Sequence, residues 1–407
     1  LVLHADSIRS ETAEEARPPV GSLTLAGGVQ HAVQGLREFM ERYLDDTDDP
    51  MIQLTGGQDS RIVLSAIPRS RRRGLRAMTL QAPGSRDTEV AAQIADAYGM
   101  RHEVRAVEGL ANASPEDWYR RVFRTARHYE CMTDPIARSI TGLVEESFDQ
   151  GERLCGLGGE VARGFYYMGR VRPSPVTPER ASTLAKWRML ANEAVHPEVL
   201  HPRLRDRAIP TSVDIVSRVL DAADDEWFTA TDELYLHRMR RWAGLCETAV
   251  TFRRSLTNPM LEDTFVDVAR RLAPRDKAGA RFLARVQMAL DDDLARLPLD
   301  DRPAPRAYAN PGVGARFQTL RTKAGKLGAK SLQRLRGAHR PPAGGAVVAG
   351  KLAEYFHATG AALDPARDSG IFDERWLDGL SDGSVAPSPA SLALLMNVLA
   401  ASGTRSA

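Results

Sequence analysis

Apolar residues recur along the chain with two alternating periods. Val29, Val33, Leu36, Met40 and Tyr43 fall at helical spacing and predict an amphipathic helix over 29–43. Residues 1–22 before it read as a loose entry, broken by Arg17-Pro18-Pro19 and Gly21. The short run Met51-Ile52-Gln53-Leu54 predicts a buried strand, followed by a turn at 55–58 and a helix at 59–67. A second strand is expected over 75–80. A helix follows over 88–98, with Val90, Ala91, Ile94 and Ala97 on one face and Gly99 closing it. A third strand over 102–104, helices at 115–128 and 135–148, and a fourth strand over 153–156 complete the series. Alternation of this kind implies a parallel sheet with helices on both faces.

Beyond about residue 180 the strand pattern stops. Helical periodicities dominate at 181–195, 210–222, 226–250, 262–272 and 278–295, and again near 350–360 and 387–401. No internal repeat is visible. The expected fold class is α/β, a parallel-sheet core with a large, mostly helical C-terminal half. The expected divisions are an N-terminal extension and helix over 1–45, the α/β core over 46–180 and a helical part over 181–300. A basic Gly/Pro-rich segment over 301–350 and C-terminal helices over 351–407 follow.

Composition narrows the function classes. The 407 residues carry 55 basic and 53 acidic side chains, a net charge of +2 that excludes a uniformly basic nucleic-acid coat and an acidic disordered chain. Between Arg302 and Lys351 there are eleven Lys or Arg and no Asp or Glu, so the rest of the chain is net acidic. That segment reads as a solvated loop, or as a flap or surface for an acidic substrate. Cys131, Cys155 and Cys246 form no CxxC pair, which argues against a structural zinc site and a disulfide framework. No apolar run approaches the roughly 18 residues that span a membrane, and no signal peptide opens the chain. A cytoplasmic protein with no membrane partner is expected. The chain opens at Leu1 rather than Met, which fits a fragment or a processed product.

The sharpest motif is Leu54-Thr55-Gly56-Gly57-Gln58-Asp59-Ser60, where a buried strand ends, two glycines turn, and Asp-Ser opens a helix. Paired glycines let the backbone turn sharply and approach a ligand. Successive N–H groups and the helix N-terminus then make an anion nest. Thr55 and Ser60 add hydroxyl donors. Asp59 repels a bare phosphate and makes sense as a ligand for Mg²⁺ bridging phosphates. A tight strand-to-helix turn with Asp59 and Ser60 as caps is the structural alternative.

This segment resembles the Ser/Thr-Gly-Gly-x-Asp-Ser pyrophosphate loop of the ATP pyrophosphatases. Within that group, residues 28 to 300 resemble the synthetase domain of asparagine synthetases and their relatives, the β-lactam synthetases and lasso-peptide cyclases. Gly84-Ser85-Arg86-Asp87-Thr88-Glu89-Val90-Ala91 is similar to the family's Asp-x-x-x-Ala segment. The stretch from Cys155 to Tyr166 is similar to the family's second glycine-rich segment, with Glu160 where the family has Asp. Asn258-Pro259-Met260-Leu261-Glu262-Asp263 and Leu272-Ala273-Pro274-Arg275-Asp276-Lys277 are similar to its helical-half signature.

The resemblance implies an adenine nucleotide α-hydrolase-like fold and an ATP- and Mg²⁺-dependent ligase that adenylates a carboxylate, releases pyrophosphate and forms an amide. It implies that Leu54, Thr55, Gly56, Gly57, Asp59, Ser60, Asp87 and Gly158 hold the nucleotide and that Thr79 and Leu80 meet adenine. Asp59 and Glu160 would hold Mg²⁺, Lys277 and Arg302 would stabilise pyrophosphate, and Glu130 would act as base. Arg306 or a basic residue of 316–340 competes with Arg302 for its role. Asp87 also reads as a plain helix cap, and Glu130 as a solvent-facing carboxylate.

The first Cys is Cys131, so the N-terminal cysteine nucleophile of glutamine-dependent members is not in this chain. Either a glutaminase domain was removed, or it sits in another chain, or the amine belongs to the substrate, as in the ring-closing relatives. Amide-forming ligation on a small or peptide carboxylate is the first reading and macrolactam or β-lactam closure the second. A non-catalytic nucleotide-binding protein is the third. A tRNA-modifying pyrophosphatase is disfavoured by the missing CxxC pair and the long helical half, so nucleic acid is not expected as a partner.

Overall fold

The computed structural model describes residues 2–4, 7–9, 18–81, 86–147, 149, 151–190, 195–251, 255–300, 302–309 and 344–403. It is an α/β protein. The entry is not wholly irregular: β1 (Val2–His4) and β2 (Ser7–Arg9) pair antiparallel as a two-stranded sheet. Helix α1 (Leu25–Asp46) follows, longer than the apolar spacing predicted because Thr24 caps its start, accepting from the Gly27 N–H.

The central sheet is built from β3 (Pro50–Gln53), β4 (Arg76–Gln81), β5 (Arg101–Ala106), β6 (Glu152–Leu154) and β7 (Leu256–Thr257). All neighbours are parallel and the order is β5-β4-β3-β6-β7. Helix α2 (Gln58–Ala66) links β3 to β4, and α3 (Asp87–Ala97) links β4 to β5. Helices α4 (Pro115–His128) and α5 (Pro135–Glu145) carry the chain back to β6, on the other side of β3. The direction of winding therefore reverses between β3 and β6. In open parallel sheets the crevice beyond the strand ends at such a reversal is where ligands bind.

Strand β7 corrects the expectation that strands vanish after residue 180. It is two residues long, and its place is set by pairing Leu256 and Thr257 with Arg153 and Leu154, which no local periodicity announces. The helical half also runs differently from its pattern. Helix α6 (Pro178–Leu184) continues into a π-helical turn at Ala185–Met189. Helix α7 (Pro202–Ala223) starts well before 210, with Pro210 in its interior. Helix α8 (Trp227–Arg238) also passes into a π-helical turn, Met239–Ala243.

Among the described residues two large apolar cores and one small cluster result. The larger core joins Ile52, Leu54, Ala77 and Leu154 of the sheet to α1, α2, α3 and the helical half. The second core joins Trp118, Val122, Ile136 and Ile140 of α4 and α5 to Val348, Leu352, Phe356, Leu377, Leu395 and Met396. Those tail residues lie on helices Gly345–Ala358, Glu374–Ser381 and Pro389–Ser402. The helix Gly345–Ala358 overlaps the last residues of the segment expected to be basic loop to 350. Most of that segment, 310–343, lies outside the described residues. Among the described residues no helix is long and apolar enough to cross a membrane.

Candidate functional site at the sheet reversal

The loop after β3 is held in shape by its own hydroxyls. The Thr55 N–H donates to Ser60 Oγ at 3.1 Å, and the Gly57 N–H donates to Thr55 Oγ1 at 3.1 Å. The two hydroxyl oxygens are 3.0 Å apart. The Gly56 N–H donates to Asp87 Oδ1 at 2.9 Å. Asp87, at the first position of α3, therefore comes to the loop rather than serving only its own helix. Leu54 is buried, and its N–H donates to the Met78 carbonyl at 2.9 Å. Thr79 Oγ1 donates to the Leu54 carbonyl at 2.7 Å and lies 2.9 Å from His102 Nε2, so the end of β4 is pinned to the start of the loop. Leu80 is half-buried on the same strand.

The segment after β6 lies directly on this loop. A Cβ on Gly156 would stand 2.6 Å from the Ser60 nitrogen and 2.7 Å from the Asp59 carbonyl carbon. A Cβ on Gly159 would stand 2.7 Å from Asp59 Oδ1. At Gly156 the obstacle is backbone, so only glycine permits the approach, whereas at Gly159 a Cβ would push the Asp59 carboxylate aside. Gly158, at φ +102°, opens the 3-10 turn Gly159–Arg163.

That turn brings a second carboxylate to the first. Residues three apart eclipse in a 3-10 turn, so Glu160 and Arg163 share a face, and Arg163 Nη2 donates to Glu160 Oε1 at 3.1 Å. The same nitrogen lies 3.1 Å from Asp59 Oδ2. Glu160 Oε2 accepts from the Tyr235 hydroxyl at 2.8 Å. Asp59 Oδ1 is buried with no partner. Burial pushes the Asp59 carboxyl up to about 6, and the Glu160 charge adds to this, while the Arg163 and Arg302 charges oppose it. Burial, then the Glu160 charge, raises the Tyr235 phenol.

The resemblance assigns Asp59 and Glu160 to Mg²⁺. Of their four oxygens, two face one guanidinium nitrogen and a third accepts a hydrogen bond from the Tyr235 hydroxyl. Among the described residues no group of three or more His, Cys, Asp or Glu side chains is arranged to hold a metal ion. As it stands the pair does not fit a divalent ion, because an arginine fills the position between the carboxylates.

Arg302 is brought to this place: its charge acts on both Asp59 and Arg61. Arg61 had no place in the sequence reading. It is wholly buried and donates to the carbonyls of Leu297 at 2.6 Å, Pro298 at 2.9 Å and Gly56 at 3.4 Å. Together with the Asp300 N–H, which donates to the Gly56 carbonyl at 3.0 Å, it ties 297–300 to the loop after β3. Burial, then the Arg302 charge, lowers the Arg61 guanidinium to about 10.

Lys277 and Glu130 stand elsewhere. The Lys277 amine is buried, donating to Asp232 Oδ2 at 2.5 Å and to the Ala269 carbonyl at 2.9 Å. Asp232 also accepts from the Tyr167 hydroxyl at 2.7 Å. It lies one helical turn before Tyr235 on α8, so this ion pair is a neighbour of the Glu160 contact rather than part of it. Glu130 is exposed at the end of α4, where it and Cys131 hold the left-handed values φ 52° and 57°. The preceding Tyr129 is buried with Cys246 and Ala249 and anchors this turn. Left-handed non-glycine residues are costly and cluster at functional sites.

Arg163 and Tyr235 were also missed by sequence reading. Arg163 had a signal, its i,i+3 spacing from Glu160. Tyr235 had none, because only the packing of α8 brings it to the glycine segment. No protein-family model matches the chain, and no curated protein is significantly similar to it.

Proposed function

We propose that the chain is an ATP-dependent ligase that adenylates a carboxylate and transfers the acyl group to an amine. The observation that carries this reading is the contact of two glycine-rich segments at the sheet reversal, where backbone amides, Asp59, Glu160, Arg163 and Arg302 converge. ATP, supplied as its magnesium complex, is a substrate of this reading. A substrate carboxylate oxygen attacks the α-phosphorus, and the bond from that phosphorus to the bridging oxygen breaks. As that bond breaks its electron pair stays on the bridging oxygen, so pyrophosphate leaves with added negative charge, and Arg163 and Arg302 are the groups that meet it. The amine then attacks the acyl carbon, AMP departs, and the amine proton goes to a base. Glu130, to which the resemblance gives this role and which stands exposed outside the carboxylate cluster, is the candidate base.

Pyrophosphate release from ATP, screened against pooled amino acids and other carboxylates with and without ammonium, tests this. Release with AMP formation, dependent on one pool and lost in Asp59→Ala, is the expected result. A requirement for ammonium marks amidation, whereas an internal amide formed without it marks ring closure. Glu130→Gln should lower amide formation at least tenfold while leaving carboxylate-dependent ATP–pyrophosphate exchange intact.

A second reading, nucleotide binding without turnover, draws on Lys277, whose amine is committed to Asp232. ATP binding with no pyrophosphate release from any pool supports it over the first.

A further inference from the structure

The metal expectation and the observed contacts disagree at one position, and the disagreement has a specific form. Asp59 comes from the first turn of α2 and Glu160 from the turn after β6, so the two carboxylates belong to different segments. What joins them is one nitrogen of Arg163, 3.1 Å from Asp59 Oδ2 and 3.1 Å from Glu160 Oε1. The side chains of Asp59, Glu160 and Arg163 retain only 17%, 20% and 20% of their exposure, so the contact is largely shielded from water. Tyr235 fixes the other oxygen of Glu160 and thereby its direction. Guanidinium does not lose its proton in proteins and presents five N–H donors in a rigid fork.

We propose that Arg163 is the resident cation of this site. It stands where a divalent ion bridging Asp59 and Glu160 would stand, and it offers its remaining N–H groups to an anion arriving at the Thr55 loop. The free protein then has no divalent-cation site at this pair. A permanent positive charge already bridges the two carboxylates, and a second cation between them is repelled by it. Of the four carboxylate oxygens, Asp59 Oδ1 is the one that neither Arg163 nor Tyr235 meets, and it is buried without a partner. Removing the guanidinium leaves two adjacent shielded carboxylates, which is the condition for recruiting an ion. This inference rests on the proposed function for the identity of the anion, but not for the place of Arg163.

The test has two arms. In the first, Mn²⁺ is titrated into the nucleotide-free protein and followed by electron paramagnetic resonance. Wild type should show no saturable site below about 1 mM, the weak end of protein carboxylate sites. Arg163→Met, which keeps the bulk and drops the charge, should gain one site at least tenfold tighter, and Glu160→Gln added to it should abolish that site. Arg163→Gln serves as a second neutral variant, judged by the same titration if Arg163→Met does not fold. A saturable wild-type site that Glu160→Gln removes overturns the proposal, as does a folded neutral variant that gains none. In the second arm, ATP binding is measured in excess EDTA and in Mg²⁺. Wild type should bind in EDTA. Arg163→Met should lose at least tenfold there and regain most of it with Mg²⁺. If wild type binds no ATP in either condition the proposed function fails, while the Mn²⁺ titration still decides the place of Arg163.

Discussion

The Gly56 N–H donates to Asp87 across 31 residues of sequence, so the loop after β3 already holds a carboxylate of the protein's own. A phosphate arriving at the same amide meets that negative charge. Asp87→Asn keeps an acceptor and removes the charge, so pyrophosphate should bind about three- to tenfold more tightly, measured by calorimetry. Unchanged or weaker binding would mean that the carboxylate does not compete with the anion.

Arg61 joins the loop to the chain at 297–300 by donating to the carbonyls of Gly56, Leu297 and Pro298. Arg61→Met should strand them and cost about 2–4 kcal/mol, in the range of buried charge-assisted hydrogen bonds. The urea midpoint reads this directly. A loss under about 0.5 kcal/mol, the level of an ordinary surface substitution, would show that the contact carries no stability.

The Lys277–Asp232 pair makes a prediction about charge left alone. Lys277→Met leaves Asp232 buried without its counter-ion and should destabilise by about 3–5 kcal/mol. Adding Asp232→Asn should return part of that loss, because the Tyr167 hydroxyl can still donate to the amide oxygen. A double-mutant cycle by chemical denaturation gives the coupling, and strictly additive losses would contradict the pair's importance.

His102 supplies a pH dependence. Burial beside Thr79 lowers its imidazole below the ordinary value of 6.5. The unfolded chain therefore takes up this proton at higher pH than the folded one. The contribution is complete above about 6.5 and is lost as pH falls from there toward the lower folded value. Between pH 7.5 and 5.5 wild type should lose more unfolding free energy than His102→Gln. Equal losses would remove His102 as a source.

Elements with a full local period were legible in the sequence. The strand at 51–54 and the helices at 88–98 and 115–128 declare themselves by spacing, and Gly99 ends its helix at φ 62° as a C-terminal glycine should. Strand β7 was not legible, because two residues carry no period and their partner strand lies about 100 residues earlier. The early start of α7 was missed because the helical pattern reads as opening at Pro210, whereas the helix passes through that proline. At the candidate site the glycines and acids were legible because the turns they build are local. The cations that surround them were not, apart from Arg302. Arg61 acts on carbonyls more than 230 residues away, and the neighbour that matters to Lys277 is chosen by the packing of α8.

The pairing of α4 and α5 with the C-terminal helices has a consequence for how the chain is made. Trp118, Val122, Ile136 and Ile140 leave the ribosome about 200 residues before the helix Gly345–Ala358 that covers them. At roughly 5–20 residues per second, their apolar face waits some ten to forty seconds for its cover, and for that interval the nascent chain is a natural client for a chaperone.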